Sequence, residues 1–443
     1  MHRILGITAC AVIVLFAVPL SADELRPVTH EDVWTMNRLG TPAISPDGQS
    51  AVVSVTEPSY EEDADVSDLW LVDVGGENEP RRLTATRAGE SGVAWRPDGG
   101  AIAFSAKRGD DEVSQVYVLD MTGPGEAVAI TSLSTGASGP VWSPDGSKIA
   151  FQSKVFPGAA DDEANKEEKK AREERKYNVS AYDIFPIRQW DNWRDDKQVH
   201  LFVQDAIAGA PATDLLAGSE LVGTPGFQGA PSLSGNDLKA AWAPDGKSLV
   251  FNATVNLDQA AHASVVYHLY RVSLEGDEPK KLTDSEDWSC TSPEFSADGK
   301  WLYCSVSPEN ELVYNHDEIG RFKWKKRGTL GEPELLTAGF DRSPGGFDLS
   351  DDGETIYFTA ADAGRSRVFS VPASGGEVNM LDPEGRVGAN VTLADAVGPV
   401  DCDLAQALIR RQIHVTGGAT AGLRELAERL KLEGCGVPPR EGR

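Results

Sequence analysis

Cysteine, methionine and histidine are scarce in this chain, at five, four and seven of 443 residues. The histidines are scattered and no Cys-x-x-Cys pair occurs, so neither a metal site nor a thiol redox motif is expected. No Gly-x-Ser-x-Gly elbow of an α/β-hydrolase is present. The nearest strings, Gly89-Glu90-Ser91-Gly92, Gly136-Ala137-Ser138-Gly139, Gly246-Lys247-Ser248 and Gly364-Arg365-Ser366, each lack the required glycine spacing. Walker-type and Gly-x-Gly-x-x-Gly phosphate loops are missing too. No catalytic residue and no cofactor is therefore expected. Positive charge is also short: 42 basic residues face 69 acidic ones, a net charge of −27. That balance disfavours nucleic acid or an anionic membrane as a partner.

What the chain has instead is a repeat. Six times an apolar run meets Ser/Arg/Ala-Pro-Asp-Gly or a close variant and a second apolar run follows, with turn aspartates Asp47, Asp98, Asp145, Asp245, Asp298 and Asp352. Their spacings are 51, 47, 100, 53 and 54 residues. In the full form Pro presets φ, Asp supplies a side-chain acceptor, and Gly takes the positive φ that reverses the strand. About thirty residues later, most copies add a third strand, a Gly-rich turn and a fourth strand, as in 116–131 and 267–283. A period near fifty with four antiparallel strands per copy predicts an all-β chain, a β-propeller of six or seven blades. The blades are expected at about 41–84, 91–131, 138–216, 238–283, 292–337 and 345–381, within a propeller spanning 41–395. A degenerate or missing seventh blade would follow.

The doubled step reads as an insertion, 154–199, between the second and third strands of the third blade. Its stretch from Asp161 to Lys176 is nearly all charged or Ala, with no β-branched residue, which predicts a solvated helix or a disordered loop. The N-terminus, with a basic start, an apolar run from Ile4 to Leu20 and Ser21-Ala22, reads as a signal peptide over 1–22. The mature chain is expected in the periplasm or secreted, with no further membrane segment. In an oxidising compartment Cys290 and Cys304, flanking the hairpin turned at Asp298, would be close enough for a disulfide, though two buried thiols fit equally.

Residues 26–55 and 181–209 resemble the prolyl oligopeptidase family of serine peptidases, in its dipeptidyl- and acylaminoacyl-peptidase branch. The first carries a short lead-in helix within 23–40, which Thr29 would cap, Asp32 would reach back to and Gly40 would end. The second carries an aromatic-Arg-x-Trp-Asp-x-Trp run, with Tyr182, Arg188, Trp190, Asp191 and Trp193 as substrate-facing candidates. The Pro-Asp-Gly copies themselves are shared with TolB-type propellers. The resemblance implies the non-catalytic propeller of a secreted serine peptidase, which filters and binds a peptide substrate beside an α/β-hydrolase domain. After residue 396 the pattern lapses into two helical stretches, with Leu423, Leu426 and Leu430 on one face of the second. A truncated peptidase gene, inactive alone, would give such an end. The competing expectation is a self-standing TolB-like propeller that binds a protein partner.

Overall fold

The computed structural model describes residues 27–381, apart from 60–63, 77, 87–88, 178, 180–181, 183–186, 190–191, 233–234, 311, 313–314 and 326. The expected signal peptide, the tail over 396–443, Cys402 and Cys435 lie outside the described residues. The chain forms six consecutive antiparallel sheets, the blades of a β-propeller. Blade two, for example, runs Ser91–Trp95, Ala101–Ala106, Gln115–Asp120 and Val128–Ala129 in that spatial order. Blade one splits its inner edge into Arg38–Leu39 and Ala43–Ile44, both paired with Ser50–Ser59.

Each sheet has two apolar faces, and neighbouring blades cover them. Val52 and Leu69 of blade one pack with Ile102, Phe104 and Tyr117 of blade two. Ile149, Phe151 and Phe202 of blade three meet Ala103 and Val116 of blade two. On the other side Leu201 and Val203 pack with Leu249, Phe251 and Tyr270 of blade four. Every fully buried side chain of this size contributes about 1.5–3 kcal/mol. The seams, rather than any single blade, therefore hold most of the core.

The Pro-Asp-Gly turns show the mechanics expected of their residues. The Asp carboxylate accepts the main-chain N–H two positions on in all six copies, from Gln49, Gly100, Ser147, Lys247, Lys300 and Glu354, at 2.8–3.1 Å. The following glycines take φ between +63° and +72°. These hydrogen bonds, with those from the neighbouring Ser143 and Ser147 hydroxyls, lower the Asp145 pKa to about 2. Lys300 and Ser296 do the same for Asp298.

Tryptophans two places before Pro-Asp-Gly stitch the first four blades. The indole N–H of Trp95 donates to Ala43 O at 2.9 Å, that of Trp142 to Ala94 O at 3.1 Å, and that of Trp242 to Val141 O at 3.0 Å. In each case the acceptor lies on the inner strand of the preceding blade.

One detail differs from the sequence reading, and one alternative left open there is decided. The lead-in helix is His30–Trp34, with Thr29 and Asp32 forming a reciprocal capping box, but Thr35 closes it and Gly40 plays no part in its end. Gly40 instead sits against blade one, where a Cβ would fall 2.1 Å from Ser54 Oγ. Cys290 and Cys304 are joined by a disulfide with their Cα atoms 5.9 Å apart. They are not direct partners: Cys290 pairs with Val306, and Cys304 lies diagonally, beside the register shift after Thr291.

Candidate functional site

Strand direction divides the propeller into two faces. Inner strands run toward the Pro-Asp-Gly turns, second strands away from them, so connections between second and third strands all emerge on the opposite face. The turns joining third to fourth strands return to the Pro-Asp-Gly face, where Met121 N donates to Gly100 O, Ala206 N to Ser147 O and Leu274 N to Lys247 O. The insertion of blade three belongs to the opposite face. It leaves after Lys148–Val155 and returns at Gln198–Asp205, and these two strands pair through eight consecutive residues without a break.

The charged part of the insertion is a helix, Asp162–Glu173, capped by Asp161 accepting from Ala164 N. Its low apolar content gives it little to bury, so polar contacts anchor it. Buried Asn165 donates to Asp161 O and accepts from Phe156 N, both at 2.9 Å. Asp162 accepts from the main chain and hydroxyl of Ser134. Arg172 grips Asp196 through two bonds of 2.6 and 2.7 Å and lies 4.4 Å from the centroid of the Phe156 ring.

Between this insertion and the start of blade four lies a cavity of about 520 Å³. Its walls include Tyr182, Arg194 and Gln198 from the insertion side, His200 from the third strand, and Thr224 and Phe227 from the approach to blade four. His200 is buried, and its Nδ1 lies 2.7 Å from Asp214 Oδ2. Asp214 also accepts the main-chain N–H groups of Leu216 and Ala217, which marks it as a carboxylate that receives the Nδ1 proton. The other ring nitrogen, Nε2, is buried with no hydrogen-bond partner among the described residues. The Arg194 guanidinium is half-buried and has neither hydrogen bond nor ion pair among the described residues. Burial lowers its pKa, partly offset by Tyr267 and Asp195. Burial likewise pushes Tyr267 up to about 12, against the influence of Arg194.

Comparison among blades shows what differs around His200. In blades one, two, four and five a threonine ends the outer strand and accepts from the third strand: Thr84 from Leu69 N, Thr131 from Val116 N, Thr283 from Leu269 N and Thr337 from Ile319 N. In blades two and five that hydroxyl then donates to the residue preceding the acceptor's partner, Gln115 or Glu318. His200 holds the same place in blade three, but Leu216 stands where the threonine would be. The His200 ring pairs with Asp214 instead, and its Nε2 stays buried and unpartnered among the described residues, as does Nδ1 of His268 at the same place in blade four beside Thr283.

Of the residues singled out by sequence, Tyr182 reaches the cavity wall, and its ring centroid lies 6.4 Å from that of Trp193. Arg188 and Trp193 pair across a small hairpin, with the guanidinium carbon 5.8 Å from the indole centroid and Trp193 65% exposed. Trp190 and Asp191 lie outside the described residues. The sequence reading missed Arg194, His200 and Asp214. A signal for the last two was present: the third copy reads Thr-Asp-Leu-Leu where the first, second, fourth and fifth end in Leu-Thr or Ile-Thr. No metal-binding cluster occurs among the described residues.

A six-bladed propeller with a built-up connection on blade three is thus the class this chain defines, and comparison with known proteins places it next to peptidases. No protein-family model matches. The chain is 24% identical over 371 residues to dipeptidyl-peptidase 5 of Porphyromonas gingivalis, covering 80% of this chain and 49% of that protein. Its fold is similar to acylaminoacyl peptidase of Pyrococcus horikoshii, with a TM-score of 0.55 at 14% identity over 82% of this chain and 48% of the other. A prolyl endopeptidase structure matches with a TM-score of 0.50 at 12% identity, over 80% and 44% respectively. The chain resembles the N-terminal propeller of prolyl oligopeptidase-type peptidases, and it spans about half the length of these relatives.

Proposed function

We propose that this chain is the peptide-handling propeller of a secreted prolyl oligopeptidase-like serine peptidase, and that an α/β-hydrolase domain supplies the nucleophile. The observation that carries this reading is the match to about half of dipeptidyl-peptidase 5, combined with a cavity built by the segment that resembles the same branch. In this reading the propeller screens peptides and holds part of them, and the chemistry takes place on the partner domain. The expected location is the periplasm or the exterior. The purified chain should release no product from dipeptidyl or aminoacyl esters, and the DNA that follows should encode a Gly-x-Ser-x-Gly domain. Ester hydrolysis by the chain alone, blocked by a serine-directed phosphonate, would overturn the division of labour. Downstream DNA without a hydrolase domain would overturn the peptidase assignment.

A further inference from the structure

The lead-in segment before blade one presents apolar side chains to solvent. Val28, Val33, Trp34, Met36 and Leu39 are each between 44% and 66% exposed, five of the fourteen exposed large apolar side chains among the described residues. Crowding of that kind marks a docking surface, unlike the apolar residues scattered singly over an ordinary surface. The helix His30–Trp34 buries none of its five residues. Its capping box and the contact of the His30 and Trp34 rings, 6.3 Å between centroids, are internal to the segment. So short a helix is marginal in water without tertiary packing, and a cover over this face would hold it. Arg38 and Leu39 pair with Thr56 and Val55, at the end of the second strand remote from the Asp47 turn, so the lead-in lies on the cavity face. The last described strand, Asn379–Met380, is antiparallel to Arg365–Pro372 and runs toward that same face.

We propose that the exposed face of the lead-in is the docking site for residues 423–434 of the same chain. That stretch reads as a helix with Leu423, Leu426 and Leu430 on one face. At about 100° per residue, Arg424 and Lys431 fall together along one border of the leucines. The lead-in from Pro27 to Asn37 has no Lys or Arg and carries exposed Glu31. Charge favours this occupant over a second copy. Residues 403–443 hold seven basic against five acidic side chains, whereas the chain as a whole stands at −27, so two whole copies repel. Reach is ample. A folded body of this size is roughly 50 Å across, and the chain from Leu381 to Leu423 spans up to about 140 Å when extended. Because the segment is tethered, a small interface suffices to keep it in place. Docked there, it shields an apolar surface that would otherwise drive association of the chain with itself.

Hydrogen–deuterium exchange of the full chain tests the docking, with the double variant Leu426→Asp, Leu430→Asp and, from the other side, Trp34→Asp. In the unaltered chain, amides of 33–39 should exchange at least about tenfold more slowly than in the leucine variant. Those of 423–434 should likewise exchange at least about tenfold more slowly than in Trp34→Asp. The blade-two strand Ala101–Ala106 should keep its rate in both variants, because Trp34 is half-exposed and neither change enters a seam between blades. Equal exchange of 33–39 with and without the leucines overturns the proposal, as does acceleration that extends to Ala101–Ala106. Light scattering separates the occupants. A monomer with a protected lead-in supports docking within one chain. A dimer that the leucine variant or Trp34→Asp dissociates assigns the face to a second copy and overturns it. A monomer whose lead-in exchanges freely leaves the face to another protein and overturns it equally. None of these readouts involves a peptide or hydrolysis, so a failure here and a failure of the peptidase reading are distinguishable.

Discussion

The main-chain N–H of Leu349 crosses the seam between blades five and six to the Glu294 carboxyl, 3.3 Å away. In the first three seams the later blade also donates to the preceding one, but there the indoles of Trp95, Trp142 and Trp242 donate to main-chain carbonyls. The acceptor positions there are Ala43, Ala94 and Val141; blades five and six place Glu294 and Asp348 at the same point of the repeat.

Burial, reinforced by Asp348, pushes Glu294 up to about 8. Glu294 therefore keeps a proton in the folded state that the unfolded chain releases near pH 4.5. Its contribution is fully present below the unfolded value and is lost as pH rises through about 8. Thermal melts should show falling stability across that window. Glu294→Gln, which keeps the acceptor and cannot ionise, should flatten the fall and stabilise the protein at pH 9 by on the order of 2 kcal/mol. An unchanged pH slope in the variant would count against this account.

Trp142→Phe keeps the aromatic bulk of the second seam and removes the bond to Ala94 O. Urea unfolding should register a loss of about 1 kcal/mol, the usual net worth of such a bond. A change inside the error of the extrapolation would mean that the indole N–H is satisfied equally well without Ala94.

The disulfide closes only the short hairpin from Cys290 to Cys304. Restricting the unfolded chain over a loop of that size is worth about 3 kcal/mol at most. The Cys290→Ala, Cys304→Ala double variant should unfold at lower denaturant by up to that amount, and dithiothreitol should have no further effect on it. Sensitivity of the double variant to reductant would place the effect elsewhere.

Arg172→Ala removes the two bonds to Asp196 and the contact with Phe156. Because both charges are partly exposed, the global loss should stay near 1 kcal/mol. The local effect should be larger: amides of Asp162–Glu173 should exchange faster with deuterium while the Lys148–Val155 strand stays protected. Equal acceleration in both segments would contradict a helix anchored independently of the blade.

The fold was legible because each Pro-Asp-Gly turn is a local event, written in residues that set φ and cap the strand whatever surrounds them. Trp95, Trp142 and Trp242 were equally visible, although their donation across the seam depends on how blades stack. The site was less legible. Arg194 is one charge in a charged segment, and only the folded chain shows its guanidinium half-buried without a hydrogen bond or ion pair among the described residues. His200 and Asp214 could be found only by aligning copies and noticing the threonine that blade three lacks. Gly40 was misread because a glycine after a short helix suits a helix end, whereas here the pressure on it comes from Ser54.

The alternation of strands has a consequence for how this molecule can be enlarged. Any segment spliced between a second and a third strand must leave and re-enter on the cavity face, whatever its length, as the unbroken pairing from Lys148 to Val155 with Asp205 to Gln198 demonstrates. Added mass at the corresponding links of the other blades, such as 107–114 or 254–267, would gather around the same opening. Material added at a Pro-Asp-Gly turn would accumulate on the far side and leave the opening unobstructed. Parity of the strands thus assigns every insertion point to one face or the other.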